Sequence, residues 1–436
     1  MMDIHDSIEK LIEDIGKDYN TLQYVYNGKQ FIAGETPVYY SGPYWDNEEV
    51  IAGIQSLLTG KWLSAGEQVK KFEHEFSNKI NQHFGTMVNS GSSANLVMIS
   101  ALKKYYGWND GDEIIVSVVG FPTTISVISQ NGLTPIFIDI ELDTLNFDTS
   151  LIEEKISDKT KAIFVSPVLG NPPDIDTILS ICENHDLKLI LDSCDSLGTK
   201  WKDKYLVEYA VASSHSFYPA HTISTAEGGM ITTNIREVSN IAKGISSWGR
   251  ACVCSGVENL LPNGICNHRF DKWLEDYDGI VDHKYVFNYM GYNLKPLDLQ
   301  GSIGLVQLAK LDEIMAKRNI SQKSIQNIFA RNIVDIKFPE TFVSADVVWF
   351  GTPLICESKE QKQKLVKYLE ANKIQTRNYF AGNILIHPGY RHLDDYKRYP
   401  NANQVLDRVF FLGASPHYDE KIFNYIEGVV KGFENG

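Results

Sequence analysis

Four short stretches carry residue types that could act together on a small charged ligand. Ser90-Gly91-Ser92-Ser93-Ala94-Asn95 stands between the apolar run GTMVN and the helical pattern LVMISALKKYY. A strand that turns through Gly and Ser into a helix offers free backbone N–H groups and a positive dipole end, which suit a phosphate. Asp192 closes the apolar run LKLILDS, where an acid can keep a heterocyclic nitrogen protonated. Phe121 follows EIIVSVVG and places an aromatic ring at the end of another run. Ser216, in SFYPAHTISTAEGGMITT, ends a further strand ahead of the Glu227-Gly228-Gly229 turn. Singly, each has a plainer reading: an N-cap, a turn-forming acid, a core phenyl ring. Together they describe a grip on a flat, phosphorylated, nitrogen-containing cofactor. Ser92, Ser93 and Ser216 would hold its phosphate, Phe121 its ring face and Asp192 its ring nitrogen, as for pyridoxal or pyridoxamine 5′-phosphate.

The elements that must position these residues are legible as patterns. EEVIAGIQSLL and VKKFEHEFSNKI have apolar residues at helical spacing. GTMVNS, EIIVSVV, TPIFIDI, KAIFVSPV and LKLILDS are short apolar runs separated by helix-length segments. Strands alternating with helices predict a mostly parallel sheet covered on both faces, with ligands at the carboxyl ends of the strands. LDLQGSIGLVQLAKLDEIMAKRN reads as one long helix beginning near Pro296, followed by a mixed α/β tail. The expected organisation is an N-terminal arm over 1–45, a large cofactor-binding domain over 46–313 and a smaller C-terminal α/β domain over 314–436.

With 43% hydrophobic and 22% charged residues, the 436-residue chain suits a protein with a sizeable core rather than a disordered one. Lys and Arg number 41 against 55 Asp and Glu, a formal net charge of −14 that repels phosphate backbones, so no nucleic-acid partner is expected. No run approaches the ~18 apolar residues that span a bilayer, and the acidic N-terminus lacks the features of a signal peptide. A cytoplasmic location with reduced thiols is the expectation. The six cysteines are Cys182, Cys194, Cys252, Cys254, Cys266 and Cys356. In a reducing compartment the clustered ones suggest a metal or cluster more than disulfides, although C-x-C with one nearby Cys is a weak signal that incidental thiols also give.

From about Tyr44 to the C-terminus the chain resembles the DegT/DnrJ/EryC1/StrS sugar aminotransferase family. The matching stretches are WLSAGEQVKKFEHEF, NSGSSANLVMISAL, GFPTTISVISQNGLTPIFIDIELDTLNFD, LDSCDSLGTKW, SFYPAHTISTAEGGM and GYNLKPLDLQGSIGLVQLAKLDE. The resemblance implies the aspartate-aminotransferase architecture, fold type I of the pyridoxal phosphate enzymes. It implies the cofactor roles given above for Ser92, Ser93, Phe121, Asp192 and Ser216. It also implies a homodimer in which Asn293, in GYNLKP, reaches the phosphate of the neighbouring subunit.

One departure decides the chemistry. Where the family's aminotransferases have a Lys, this chain has His221, and no Lys lies between Lys204 and Lys243. A Lys amine forms a Schiff base with the cofactor aldehyde; an imidazole cannot, but it moves protons near neutral pH. The cofactor is therefore expected in its pyridoxamine form, held without a covalent bond, with His221 as the base. A satisfied core His in a silent homologue is the bland alternative. Within the superfamily the exchange marks sugar 3-dehydratases, which act on nucleotide-linked 4-keto-6-deoxy sugars. One kind takes a GDP-linked sugar without a cluster. The other takes CDP-4-keto-6-deoxyglucose, on the way to the 3,6-dideoxyhexoses of lipopolysaccharide. That kind adds a 2Fe-2S cluster fed by a separate flavin-containing, NAD(P)H-dependent reductase. Fifty-seven residues separate Cys194 from Cys252, one separates Cys252 from Cys254, and eleven separate Cys254 from Cys266. The first two gaps resemble the cluster-bearing kind, which implies these four as ligands; the third gap is longer here, through SGVENLLPNGI. Arg377 and Asn383, in TRNYFAGNILIHPGY, resemble a substrate-side segment. His215, Tyr218, Trp248 and Arg250 lie in the same motifs with roles open between function and packing.

Overall fold

The computed structural model describes residues 3–19, 31–252, 254, 266 and 268–433. The five apolar runs form β1 (Phe84–Val88), β2 (Glu113–Ser117), β3 (Thr134–Ile138), β4 (Thr160–Val165) and β5 (Lys188–Asp192). After the short hairpin β6 (Lys200–Trp201) and β7 (Lys204–Tyr205) come β8 (Ala212–Ser216) and β9 (Gly229–Thr233). The seven longer strands make one sheet in the order β1-β9-β8-β5-β4-β2-β3. Only β9 runs against its neighbours; every other pairing, from β8 through β5, β4 and β2 to β3, is parallel.

The helices on the sheet are α4 (Gly91–Tyr106), α5 (Pro122–Gln130), α6 (Ile175–Asn184) and α7 (Arg236–Ser246). Strand periodicity of two decides which helix each residue meets. Ile114 and Val116 of β2 pack into a core with Val97 and Met98 of α4, Ile125 of α5 and Ile241 of α7. Ile115, between them, faces Ile175, Ile178 and Ile181 of α6. Both faces are covered, which is why these strands read as continuous apolar runs rather than alternating ones.

Ahead of the sheet lie α1 (Ile4–Tyr19), α2 (Asn47–Thr59) and α3 (Glu67–Lys79). The segment read as one long helix is two, α8 (Asp298–Ala309) and α9 (Leu311–Asn332). The break falls at Lys310, whose ammonium reaches the fully buried Glu49 of α2 at 2.8 Å, while Gln307 donates to the same carboxylate at 2.7 Å. A tertiary ion pair thus overrides a local pattern that has no breaker residue. The expected boundary at 313/314 falls inside α9. Beyond it, β10 (Ile336–Lys337), β12 (Gly351–Cys356), β14 (Val409–Gly413) and β13 (Thr376–Asn378) form a four-stranded sheet in that order. The short β11 (Ala345–Asp346) joins the β6–β7 hairpin instead. α10 (Lys359–Ala371), α11 (Pro400–Arg408) and α12 (Glu420–Lys431) complete the C-terminal part. Its own core holds Leu354, Leu365, Phe410 and Ile426, yet Phe350, Tyr379 and Phe411 join the core of the large sheet. Residues 31–45 bind back across it: the Val38 N–H donates to the Lys373 carbonyl at 2.8 Å. No helix among the described residues is long and apolar enough to cross a membrane.

His215 is packing. It sits on β8 with its ring edge-on to Phe76 at 5.0 Å, and Nε2 is 3.0 Å from the Thr232 hydroxyl on β9. Burial pushes its pKa down to about 3. The unfolded chain takes up this proton near the ordinary value of 6.5 and the folded chain only near 3. Between those values the unfolded state binds more protons, so stability falls as pH falls, by up to about 1.4 kcal/mol per unit for one such ring. Thermal melts from pH 7 to 4 are expected to show this loss, and His215→Gln is expected to make the slope shallower; an unchanged slope would mean the ring titrates normally.

Candidate active site

A cavity of about 720 Å³ opens beyond the carboxyl ends of β1, β2, β4, β5 and β8. Ser92, Phe121, Asp192, Ser216, His221 and Arg377 all line it.

Its phosphate end is the start of α4. Ser90 caps the helix: its Oγ accepts from the Ser93 N–H at 3.1 Å. The turn approaches β8 and β9 so closely that only glycines fit. A Cβ on Gly91 would lie 2.5 Å from the Ser216 Cβ, and one on Gly229 would lie 2.2 Å from the Ser90 carbonyl oxygen. Ser92 and Ser216 therefore stand together at a helix N-terminus, the geometry for an anion. Ser93 departs from expectation. It is off the cavity wall, and its hydroxyl accepts from the Ser90 hydroxyl at 3.0 Å, because one step round the helix turns it into the cap.

Asp192 is buried at the end of β5 and gathers its surroundings. Its Oδ2 accepts from Asn95 Nδ2 of α4 at 2.7 Å and from the Thr124 hydroxyl of α5 at 2.6 Å. Its Oδ1 accepts from the Cys194 N–H at 3.3 Å and from the Ser214 hydroxyl of β8 at 3.4 Å. Phe121, the residue before α5, is half exposed in the cavity with Phe380 edge-on at 5.9 Å. An anion-binding helix start, an exposed ring face and a buried carboxylate in one cavity fit pyridoxamine or pyridoxal phosphate, and no Lys lines it.

His221 takes the place that a tethering Lys would fill. Its Nδ1 is 3.5 Å from Asp195 Oδ1, but it is buried and makes no hydrogen bond of good geometry. Burial, then the Arg318 charge, push the imidazole down to about 3; the Cys194 backbone opposes this. Burial and the negative Asp192 push Asp195 up to about 7, against the Leu169 N–H and Arg318. The separation alone would allow an ion pair, yet both shifts run against one. With no hydrogen bond formed at Nδ1, we read the imidazole as neutral. Arg318 of α9 is fully buried and donates to the carbonyls of Ala220 at 2.9 Å, His221 at 2.8 Å and Phe350 at 3.1 Å. Tyr218 lines the same cavity, its ring 6.4 Å from that of His221.

On the far wall the Arg377 guanidinium stacks 4.1 Å over the Tyr40 ring. Asn383 does not join it, contrary to expectation. It is fully buried, donating to Asn403 Oδ1 at 2.8 Å and accepting the Leu385 N–H at 3.0 Å, so it shapes the loop. Asn293 lies elsewhere, on a second hollow of about 410 Å³ with Trp248, Arg250, Lys295, Cys252 and Cys254. There the Lys295 ammonium sits 3.3 Å over the Trp248 ring, and burial with the Arg250 charge pushes it down to about 8.

The four expected thiolates do not come together in one chain. Cys194 lines the first cavity, Cys252 and Cys254 line the second, and Cys266 Sγ is 3.9 Å from His283 Nε2. Among the described residues no three His, Cys, Asp or Glu side chains stand where they could hold a metal. Between Cys194 and Cys252 the chain passes through β8, β9 and α7. The long third gap, 255–265, lies outside the described residues. Burial and the Asp192 charge push the Cys194 thiol well above its ordinary range.

Asp195, Thr124, Asn95 and Arg318 were not singled out from sequence. Asn95 carried a signal, being one helical turn after Gly91 and thus on the same face. Arg318 carried none.

Known proteins resemble the chain over most of its length. The family described as DegT/DnrJ/EryC1/StrS aminotransferases matches residues 45–431. A dTDP-4-dehydro-2,6-dideoxy-D-glucose 3-dehydratase of Saccharopolyspora spinosa is 33% identical, over 99% of this chain and 93% of the relative. The lipopolysaccharide biosynthesis protein RfbH of Salmonella typhimurium is also 33% identical, over 93% of each. The solved GDP-4-keto-6-deoxy-D-mannose 3-dehydratase of Escherichia coli, with bound hydrated pyridoxal phosphate, superimposes with a TM-score of 0.79 at 28% identity. That match covers 90% of this chain and 99% of the enzyme. The chain belongs to the DegT/DnrJ/EryC1/StrS aminotransferase family and has its fold type I architecture.

Proposed function

We propose that the protein is a pyridoxamine phosphate-dependent 3-dehydratase of a nucleotide-linked 4-keto-6-deoxyhexose. The observation that carries this is His221, an imidazole on the wall of a cavity that Ser92, Phe121, Asp192 and Ser216 also line. When bound, pyridoxamine phosphate supplies an amine for the keto group and a ring that accepts an electron pair. Ser92 and Ser216 bind the phosphate at the start of α4. Phe121 covers the ring face, and Asp192, held by Asn95 and Thr124, faces the ring nitrogen. The neutral imidazole of His221 takes a proton at the carbon next to the ring and returns one to the departing 3-hydroxyl oxygen. Arg377, stacked on Tyr40, is placed for a substrate phosphate. A homodimer in which Asn293 meets a second copy belongs to the same reading.

His221→Asn keeps a ring-sized polar group but no base. It is expected to bind pyridoxamine phosphate, read by absorbance after gel filtration, while dehydration falls by ~10²–10⁴-fold. Turnover near the parent's would remove His221 from the chemistry. CDP-, dTDP- and GDP-linked 4-keto-6-deoxy sugars are the substrates to assay, since the relatives' names cover the last two and the sequence resemblance the first. A 4-amino sugar product that keeps its 3-hydroxyl would overturn the dehydratase reading.

The finer part of the reading is a 2Fe-2S centre fed by a flavin-containing reductase. The 57-residue and one-residue gaps between cysteines support it. Anaerobically purified protein decides it. About two irons per chain, with visible absorbance lost in Cys252→Ser, uphold the cluster, which takes four thiolates. Iron-free protein that still dehydrates its substrate establishes the cluster-free kind.

A further inference from the structure

We propose that Asp195 is a positioning residue for His221. Its carboxylate faces Nδ1, fixes the plane of the imidazole and selects the tautomer that leaves Nε2 bare. This deepens the dehydratase reading and rests on it. Nδ1 is a buried donor or acceptor with no hydrogen-bond partner of good geometry among the described residues, and Asp195 Oδ1, at 3.5 Å, is the carboxylate oxygen facing it.

Both ends of this contact are fixed, so the ring has little freedom beyond rotation about its own bonds. On the acid's side, Oδ2 accepts the Leu169 N–H at 3.2 Å. That N–H is aimed by a tight turn: Leu169 has φ 53° and Gly170 φ 98°, and a Cβ on Gly170 would lie 2.2 Å from the Val348 carbonyl oxygen. A left-handed Leu is a costly conformation that persists only where its surroundings demand it. On the imidazole's side, Arg318 grips the carbonyls of Ala220 and His221, and the Ser41 hydroxyl donates to the Ala220 carbonyl at 2.8 Å. The ring itself leans on Phe350, centroids 5.3 Å apart. What is left to determine is which nitrogen carries the proton. A carboxylate opposite Nδ1 keeps the proton there, and the lone pair of Nε2 is then available to a substrate carbon. With the proton on Nε2 the same ring, in the same place, is no base.

The test reads the tautomer directly. Chain labelled with ¹⁵N-histidine is examined by NMR as parent, Asp195→Asn, Asp195→Ala and Asp195→Glu, with His221→Asn assigning the signal. The parent is expected to show a protonated Nδ1 and a bare Nε2. Asp195→Asn and Asp195→Ala are expected to lose that preference while keeping the melting temperature and the affinity for pyridoxamine phosphate. Asp195→Glu is expected to restore it in part. With the preferred 4-keto sugar nucleotide, Asp195→Asn is expected to lower kcat by ~100-fold or more with KM nearly unchanged, as a wrong tautomer does in His–Asp pairs. An unchanged tautomer in both Asp195→Asn and Asp195→Ala would overturn the proposal and give the ring's orientation to the Cys194 backbone. A tautomer that shifts in a protein with no dehydratase activity would leave the positioning role standing and sink the functional reading instead.

Discussion

The Asp192 carboxylate is the constraint on which the site depends. A buried carboxylate is tolerated only when its lone pairs are filled, and here the donors come from α4, α5, β8 and the turn after β5. Three of these donors belong to elements that also carry another residue of the proposed cofactor grip. Asn95 lies one turn beyond the helix start that takes the phosphate. Thr124 lies three residues beyond Phe121. Ser214 lies two residues before Ser216. Satisfying one acid therefore sets the distances between phosphate end, ring wall and ring-nitrogen partner. Removing it would leave Asn95 Nδ2 and the Thr124 hydroxyl without their acceptor beside a core that packs around Val88, Ile190 and Phe164.

The second constraint is burial around residue 221. A tethering amine in this position needs to be deprotonated to react, and an imidazole must be neutral to act as a base. The same apolar surroundings serve both, because desolvation disfavours either cation. Exchanging Lys for His thus leaves the electrostatic logic of the pocket intact while removing the covalent bond. The rigid backbone beneath the ring, held by the buried guanidinium of Arg318, positions a shorter side chain that cannot be steered by bonding to the cofactor. The neighbouring Asp195 is the group that makes this place different for an imidazole than for an amine.

The sheet was legible because each strand is buried on both faces and so appears as an unbroken apolar run, and because ligands in such sheets sit at strand ends. That rule alone led to Ser92, Phe121, Asp192 and Ser216. What escaped depends on three-dimensional neighbours. The break at Lys310 comes from a partner on α2, more than 250 residues away, and nothing local marks it. Ser92 and Ser93 look equivalent in sequence, but 100° of helix rotation puts one in the cavity and the other in the cap. Asn383 sits in a stretch that otherwise lines the cavity, yet its amide is consumed by its own loop.

The cavity is also larger than a cofactor requires, and its outer wall comes from the C-terminal part of the chain. At about 720 Å³ it falls in the upper range of small-molecule sites, with Phe350, Arg377, Asn378 and Phe380 contributed from beyond α9. Phe350 and Phe411 share one hydrophobic core with the large sheet, so this wall is packed onto the cofactor floor rather than hinged away from it. A chain of net charge −14 would seem a poor host for a diphosphate. The objection fails on distance. Charges beyond a Debye length of about 8 Å are screened at physiological salt. What an anion meets inside is local: the N-terminus of α4 at one end and a guanidinium spread on Tyr40 at the other. Those two positive groups share the cavity wall with an acid and an imidazole, so the negative net charge of the chain does not bar an anion from it.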